Sequence, residues 1–405
     1  GAASGAYAQI GHSPIDGASN ISVSGDVNLE LVTGNVTLTG GSVPTATAII
    51  GHGNELSGHI GNCTFGVVNL EAQGNITLHA GSDVQTHAII GLHNPTGGST
   101  ASFRVTADTG VTVLCTTGSI AMTATNGSNA TIGYYNAATS GSFASISFAD
   151  ISVSCPGGPI TLQAGNNGGT GAGIAVIGML CPNGSNCQSA VDIRGGTVSL
   201  LGPNGTDDGA ARIVNNQTIP SYVSAPFDVS LNVTDLLVYG GLGALSGYAD
   251  IYSSENLSIL FENDFAINQS AVLQNGYAHV VSYNNTSISG VPGNLLSLTG
   301  GNNPGADALL ESIAGNIVTG SLGSGGVNNV TVGQANCLAT SQILTFPGLN
   351  SINCSTNLII QGGAGDNIFA KIQSDSGNFI VSAGNNMSLT GGTGGHNATA
   401  EIRSN

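Results

Sequence analysis

Short segments of alternating apolar and polar residues recur along the whole chain. The clearest is an alanine, any residue and a branched aliphatic residue, as in Ala8–Ile10, Ala48–Ile50 and Ala88–Ile90. The phrase returns about every 30 to 45 residues, which is the signature of a structural repeat. One interval is twice as long, and Ser341–Ile343 lies inside it as a degenerate copy. We name these segments the kernel segments, and they begin at Ala8, Ala48, Ala88, Ala130, Ala175, Ala211, Ala249, Ala278, Ala308, Ser341, Ala370 and Ala400.

Two further patterns keep the same period. One is a turn residue followed by alternating aliphatic and hydroxyl residues, as in GNVTL at 34–38, GNITL at 74–78 and GPITL at 158–162. The other is a short run of similar alternation, as in VNLEA at 68–72 and LSIL at 257–260. Period-two alternation rich in Val, Ile and Thr and bounded by Gly and Asn predicts β-strands. Each repeat is therefore predicted to contain three short strands separated by turns.

This repeat predicts an all-β fold, a parallel β-solenoid of about 12 three-stranded coils with roughly 30–45 residues per coil. Each strand would pair with its counterpart one coil away, about 4.8 Å along the axis. No segment shows the sustained spacing of an amphipathic helix. Residues 1–405 are predicted to form a single solenoid, with long-loop coils in 1–217 and mostly shorter coils in 218–405.

The N-terminal coils contain extra residues after the kernel segment, at 51–66, 91–102 and 133–145. Stacked coils would place these residues along one edge as projecting loops. In repeat proteins such insertions often form a binding face. They are also tolerated as plain surface insertions at little entropic cost. The sequence leaves both interpretations open.

Composition supports a β-rich repeat and excludes several partners. Charged residues make up 7% of the chain, and five bases stand against 22 acids, which gives a net charge of −17. Because phosphate binding needs a basic stripe, nucleic acid is excluded as a predicted partner. The apolar residues are dispersed, and no run approaches the ~18 residues that a membrane span requires. No membrane span is therefore predicted.

Seven cysteines indicate an oxidising compartment. Cys115 and Cys155 each stand three residues before the turn glycine of a strand, so the predicted register makes them equivalent positions on adjacent coils. Their Cα atoms would be about 5 Å apart, within the range of a disulfide. Two further candidate bridges join Cys181 to Cys187 and Cys337 to Cys354, and Cys63 is left over.

Many Asn-x-Ser/Thr sequons lie along the chain. The candidates for glycosylation are Asn20, Asn62, Asn126, Asn183 and Asn204. In a host that glycosylates, these would be surface sites. The other interpretation is that Asn favours the turn and that Thr or Ser begins the next strand.

No catalytic residue, metal ligand or cofactor is predicted. His12, His52 and His93 follow equivalent strands, and they are either surface-loop residues or weak metal ligands. The phrase GGAGDNIFA at 362–370 resembles a calcium-binding nonapeptide, but a turn explains it better because no tandem copy supplies further oxygen ligands. Paired acids such as Glu262 and Asp264 could support glycosidic chemistry, which needs two carboxylates about 5–10 Å apart across a cleft.

The strands of the GNITL type, the A-x-A-x-I-G-H phrases and the turns rich in Gly, Ser, Thr and Asn resemble one group of bacterial surface proteins. These are the filamentous-haemagglutinin-like β-solenoids, which are exported as passengers by two-partner or autotransporter routes. The resemblance covers nearly all of the chain. It implies a bacterial protein, extracellular or at the cell surface, that serves as an adhesin, biofilm component or surface fibre.

Kernel segments lie close to both ends of the sequence, and uncovered solenoid ends are adhesive edges, so the sequence is expected to be either a segment of a longer solenoid or a subunit that stacks head to tail. We therefore expect a secreted structural or adhesive protein, rather than an enzyme, that forms a fibre or surface layer. Its main partner would be another copy of itself, stacked head to tail. Host or matrix glycans are further partners. The alternative is a carbohydrate-active β-helix enzyme or a glycan-binding passenger.

Overall fold

Strands and turns make up the secondary structure of this protein. The computed structural model describes residues 7–12, 21–23, 25–53, 61–83, 85–94, 103–105, 110–125, 127–136, 146–165, 173–180, 187–203, 209–215, 227–241, 247–268, 277–290, 295–300, 307–313, 317–319, 327–332, 341–345, 350–362, 369–374, 379–392 and 398–404. Across these residues there is no helix, and hence none long and apolar enough to cross a membrane. The predicted all-β class is confirmed.

The chain divides into two compact units. The first contains Gly1–Gly195 and Arg212–Val229, and the second contains Gly196–Ala211 and Ser230–Asn405. The strands within the first unit are β1 (Ala8–His12), β2 (Ile21–Val23), β3 (Val27–Val32), β4 (Val36–Thr39), β5 (Ala48–His52), β6 (Gly61–Phe65), β7 (Val68–Ala72), β8 (Ile76–His79), β9 (Ala88–Asn94), β10 (Phe103–Val105), β11 (Val111–Cys115), β12 (Ile120–Thr123), β13 (Asn129–Asn136), β14 (Ile146–Cys155), β15 (Ile160–Gln163) and β16 (Gly173–Leu180).

Three strands contain residues of both units, namely β17 (Cys187–Leu201), β18 (Gly209–Val214) and β19 (Val229–Tyr239). The strands within the second unit are β20 (Tyr248–Ser253), β21 (Leu257–Phe261), β22 (Asp264–Asn268), β23 (Tyr277–Ser282), β24 (Thr286–Gly290), β25 (Leu295–Thr299), β26 (Asp307–Ser312), β27 (Ile317–Thr319), β28 (Val327–Val332), β29 (Ser341–Thr345), β30 (Asn350–Gln361), β31 (Phe369–Ser374), β32 (Phe379–Ala383), β33 (Asn386–Thr390) and β34 (Thr399–Ser404).

Every kernel segment forms a strand, and within each unit these strands pair in parallel. In the first unit β1, β5, β9, β13 and β16 lie side by side, with kernel alanine opposite kernel alanine throughout. In the second unit the order is β20, β23, β26, β29, β31 and β34. Ser341 lies opposite both Ala308 and Ala370. The prediction that this segment is a degenerate kernel copy is confirmed.

The remaining strands of each unit also form parallel ladders. In the first unit β3, β7, β11 and β14 form one ladder, and β4, β8, β12 and β15 form another. In the second unit β21, β24, β27, β30 and β32 form one, and β22, β25, β28, β30 and β33 form another. The predicted parallel pairing of strands one repeat apart is confirmed for these ladders.

The first unit contains one ladder that the sequence did not predict. Strand β6 pairs with β2 and β10, and β10 pairs with β14. The prediction of a loop throughout 51–66 is therefore wrong for Gly61–Phe65. Neighbouring strands in register satisfy the backbone groups of this segment, whereas a projecting loop would leave them to water.

Inward and outward residues alternate along the strands. In β7, Val68, Leu70 and Ala72 are fully buried, whereas Asn69 and Glu71 between them are half-buried. Full burial of a leucine or valine side chain stabilises a fold by roughly 1.5–3 kcal/mol. The apolar residues of successive strands stack on one another and form the core of each unit.

A column of glycines runs through the first unit at the fourth kernel position. Its members are Gly11, Gly51, Gly91, Gly133 and Gly178, with φ between 126° and 138°. L-residues with side chains rarely adopt this backbone. A Cβ atom on Gly51 would also lie 1.9 Å from the carbonyl oxygen of Gly91. Both the backbone conformation and the close approach of the next strand therefore require glycine.

In the second unit a column of buried hydroxyls stands at the fifth kernel position. Its fully buried members are Ser253, Ser282, Ser312 and Ser374. The Ser253 hydroxyl donates to the Asn256 carbonyl at 2.7 Å, and the Ser282 hydroxyl donates to the Asn284 carbonyl at 2.9 Å. These hydrogen bonds close the turn after the kernel strand, so the chain enters its next strand within a few residues.

Substitution of the column glycine Gly91 by alanine tests the requirement for glycine. We expect Gly91→Ala to lower the free energy of unfolding by at least about 2 kcal/mol, because the added methyl group meets the Gly133 carbonyl oxygen at 2.0 Å and φ is 131°. The control is Gly34→Ala, since a Cβ atom there meets nothing within 4 Å. Urea unfolding of both variants measures the difference, and equal stabilities would contradict the close approach.

Candidate functional site

The first two kernel strands bring two histidines together. His12 and His52 lie opposite each other in β1 and β5, and we name them the histidine pair. Their Nδ1 atoms are 3.3 Å apart, their ring planes differ by 9°, and their ring centroids are 5.2 Å apart. The two ring centroids are farther apart than the two Nδ1 atoms by nearly two ring radii. The rings therefore face each other through the edges that carry Nδ1. One Nδ1 therefore donates a hydrogen bond to the other.

The side chain of Gln9 also fastens β1 to β5. Its amide nitrogen lies 3.1 Å from the Gly51 carbonyl oxygen and 3.0 Å from that of Gly53. The Gly53 backbone N–H in turn donates to the His12 carbonyl at 3.1 Å. These contacts add to the ladder hydrogen bonds between the two strands.

An apolar cavity of about 600 Å³ lies beside β1. Its aliphatic lining includes Ile10, Leu29, Val36, Leu38, Ile50 and Leu70. Ile10 is 53% exposed, whereas its counterparts Ile50 and Ile90 are 4% and 0% exposed. The kernel isoleucine of β1 therefore presents to solvent a surface that the inner kernel strands bury.

A second group of polar side chains contains three buried members and the half-buried Tyr135. We name His87, His93, Tyr135 and Asn129 the aromatic cluster. The Tyr135 ring centroid lies 4.6 Å from that of His87 and 5.6 Å from that of His93. The Asn129 backbone N–H donates to His87 Nδ1 at 3.0 Å. His93 is 2% exposed, and neither of its ring nitrogens has a hydrogen-bond partner among the described residues.

Burial keeps these histidines neutral at pH 7. It lowers the pKa of His87 to about 3. Burial and the nearby His87 hold the pKa of His93 well below its usual range. In the histidine pair, burial and then the charge of His12 lower the pKa of His52 to about 4. Burial likewise raises the pKa of Tyr135 to about 12.

The aromatic cluster is a poor metal centre. Because His87 Nδ1 accepts a hydrogen bond, the proton of the neutral ring lies on Nε2, and no lone pair remains for a metal. In the part of the chain that the structure describes, no three His, Cys, Asp or Glu side chains are placed to hold a metal ion. The chemical change open to the histidine pair and the aromatic cluster is protonation of their imidazole rings.

The structure places Cys115 and Cys155 as opposite, buried, free thiols. Leu114 pairs with Ser154, so the cysteines that follow them face each other. Each Sγ donates to a glycine carbonyl, at 3.3 and 3.4 Å. Burial and then Cys115 raise the pKa of Cys155 to about 12. A disulfide between them stays a prediction.

The other predicted site residues fall mostly outside the described segments. Cys187 lies in β17 and Cys354 in β30, whereas their predicted partners Cys181 and Cys337 lie outside the described residues. Asn62 lies in β6. The sequons at Asn20, Asn126, Asn183 and Asn204, and residues 363–368 of the calcium-like phrase, lie outside the described residues.

Two other sequon asparagines support the interpretation of Asn as a turn residue. The Asn35 side-chain oxygen accepts from the Asn75 backbone N–H at 2.8 Å. The Asn75 side-chain oxygen accepts from the Ser119 backbone N–H at 3.0 Å. These asparagines therefore link successive turns of the first unit.

Comparison with known proteins adds no relative. No protein-family model matches the chain, and no curated protein or solved structure matches it significantly.

Sequence reasoning missed Gln9 and Tyr135. A signal for Tyr135 existed, because it stands two residues after a column glycine, as His93 does. In-register pairing of β9 and β13 then places these two residues opposite each other. No signal pointed to Gln9, since the second kernel position takes many residue types.

Removal of the buried imidazole of His93 tests the neutral state of the aromatic cluster. In unfolded chains a histidine pKa is about 6.5. Since the folded pKa is far lower, the contribution of His93 to stability is complete above pH 6.5 and is lost as the pH falls below it. We expect His93→Phe to raise the free energy of unfolding by about 1 kcal/mol at pH 7, because two unpartnered nitrogens disappear. At pH 5 the gain should be larger by a further ~2 kcal/mol.

Urea unfolding of this variant and the wild type at both pH values measures that difference. The exposed His79 provides the control His79→Gln, which removes a histidine without altering a buried ring. The same stability gain at pH 5 as at pH 7 would show that His93 takes up protons in the folded protein.

The thiol pair makes a second prediction. Folding in the presence of an oxidised small-molecule disulfide should join Cys115 to Cys155, because their register places them within disulfide reach. Non-reducing peptide mass spectrometry should find the linked peptide in the wild type and not in Cys155→Ser. Once folded in the reduced state, the buried thiols should resist alkylation, and rapid labelling would contradict their burial.

Proposed function

We propose that this protein is a parallel β-solenoid of about twelve three-stranded coils that serves as a secreted structural or adhesive surface protein. We further propose that its copies associate end to end into a fibre or surface layer outside the cell. The twelve kernel strands, their in-register ladders and the resemblance to filamentous-haemagglutinin-like passengers support this proposal. Export from a bacterium follows from the resemblance alone.

The proposal that copies of the chain associate rests on the strict register of the kernel strands. Within each unit every kernel strand pairs with the next through the same positions, so any segment with the kernel pattern suits the free edge of a kernel strand. Among the described residues β1 pairs only with β5, and β34 pairs only with β31. The β34 strand of a second copy would place Ala400 and Ile402 on Ala8 and Ile10. The stacked strands would then extend the parallel ladder.

Exposed apolar side chains support the same contact. Tyr7 and Ile10 are 48% and 53% exposed beside β1. Near the other proposed contact surface, Ile380, Met387 and Leu389 are 46–50% exposed. Burial of such residues against the cavity beside β1 would contribute roughly 1.5–3 kcal/mol for each large side chain.

The variant Ile10→Lys tests this association. A lysine in the aliphatic ladder would lose the burial of Ile10 and would require a charge to leave water, so association should weaken at least tenfold. The matched control is Leu260→Lys, because Leu260 is 42% exposed and lies in β21, which among the described residues pairs with β19 and β24 and not with β1 or β34. Circular dichroism checks that both variants are folded.

Negative-stain electron microscopy and sedimentation velocity over a concentration series measure the outcome. The wild type and Leu260→Lys should form filaments that lengthen with concentration, and Ile10→Lys should not. Wild-type particles of one size at all concentrations would contradict end-to-end association. Binding of those particles on a glycan array would then favour the adhesive alternative, and cleavage of a polysaccharide would favour the enzymatic one.

A further inference from the structure

We propose that the histidine pair is a proton-controlled lock, which holds β1 against β5 near neutral pH and releases it in acid. Its biological consequence rests on the proposed function, since β1 would be one of the two association strands. The release itself is a property of the single chain. It can therefore be tested whether or not the chains associate.

The lock follows first from the hydrogen bond between the rings. Two Nδ1 atoms at 3.3 Å in nearly parallel rings need one proton between them. With one donor and one acceptor the contact is attractive. A second proton at this position would direct two N–H groups at each other and place a positive charge on the ring that had been the acceptor. The contact would then become repulsive, and β1 is the strand that carries His12.

The surroundings compensate the positive charge of a protonated His52 only in part. His52 is fully buried, so water cannot screen it. The titratable side chains that act electrostatically on His52 are His12 and Asp26. The exposed Asp26 carboxylate accepts from the Val67 backbone N–H at 3.0 Å. Its charge and the nearby Gly66 and Val67 backbone favour protonation, but burial and His12 outweigh them, and the pKa of His52 falls to about 4.

Strand β1 is also the least buried kernel strand of the first unit. Its residues from Ala8 to His12 are exposed or half-buried, whereas every residue of β5 is buried. Among the described residues, β1 is held by the ladder, the histidine pair and the Gln9 amide. Segments with few buried apolar contacts open at lower free energy than the fold as a whole. Protonation should therefore release β1 before it unfolds the first unit.

The expected size of the effect follows from linkage. Full exposure of His52 on opening of β1 would return its pKa to near 6.5, and this sets the upper bound of the effect. With a folded pKa of about 4, the opening equilibrium of β1 should rise by up to roughly fiftyfold between pH 7 and pH 4.5. The sign is fixed because the open state binds more protons in this range.

Hydrogen–deuterium exchange of the dilute, unassociated full chain tests the lock. The readout is the protection of the Ala8–His12 amides at pH 7 and 4.5, corrected for intrinsic exchange rates. Strand β12 (Ile120–Thr123), which is fully paired and contains no histidine, is the internal reference. In the wild type, β1 should lose up to about fiftyfold more protection than β12.

Two variants show whether the pair is the cause. In His52→Asn the side-chain amide takes the approximate place of Nδ1 but does not titrate, so most of the pH effect on β1 should disappear. In His12→Asn, where the substituted residue is only half-buried, the pH effect on β1 should become smaller because His12 no longer lowers the pKa of His52. It should not disappear, because burial of His52 remains. The control His279→Asn removes another histidine whose pKa burial lowers to about 4, and it should leave the response of β1 unchanged.

Equal loss of protection in β1 and β12, or an unchanged pH effect in His52→Asn and His12→Asn, would overturn the lock. Because the chain is dilute, failure of the lock and failure of the proposed function are distinguishable. A working lock in a protein that never forms filaments would contradict only the proposed function. A protein that forms filaments, but whose β1 protection in the dilute chain is independent of pH, would contradict only the lock.

Discussion

In-register parallel pairing of the kernel strands is the constraint on which the rest of this structure depends. Each residue faces its counterpart one repeat away at about 4.8 Å, on both sides of every inner strand. A kernel position must therefore accept a similar residue above and below it. Alanine and isoleucine do so by stacking in the core, whereas like charges at this distance would repel. The same constraint is consistent with a chain in which only 7% of the residues are charged.

The backbone leaves the kernel strand in a different way in each of the two units. In the first unit a glycine with positive φ lets the next strand approach its backbone. In the second unit a serine hydroxyl bonds to the following turn. The glycine and the serine both act at the end of the kernel ladder, where backbone groups lose their ladder partners. Buried backbone groups at such a position must still be accommodated. The serine device also keeps the turn short, in agreement with the short kernel intervals of the second unit.

The periodic part of the fold was predictable from the sequence, and the side-chain groups were predictable only in part. Register follows from the alanine phrase because a shift by one residue would turn every isoleucine outward. That is why even Ser341 could be aligned. The ladder of β6 was not predicted, because GNCTF is short and lies within a Gly-rich stretch that also suits a loop. His12 and His52 could be placed in one row, but their ring orientation depends on rotamers that the pattern does not specify.

The fifth kernel position shows how the same stacking produces both stability and sensitivity to protons. In the first unit this row contains His12, His52, Leu92, Tyr134 and Met179 in adjacent strands. Leu92, Tyr134 and Met179 are fully buried, so the row is part of the core. A histidine in such a row must stay neutral, since a buried charge needs a partner and its neighbours are apolar. His12 and His52 are consecutive in this row, and the nearby His12 disfavours protonation of the buried His52. Among the described residues an inner kernel strand is paired on both sides, whereas β1 is paired on one, so β1 is the strand of the first unit in which protonation changes the structure at least cost.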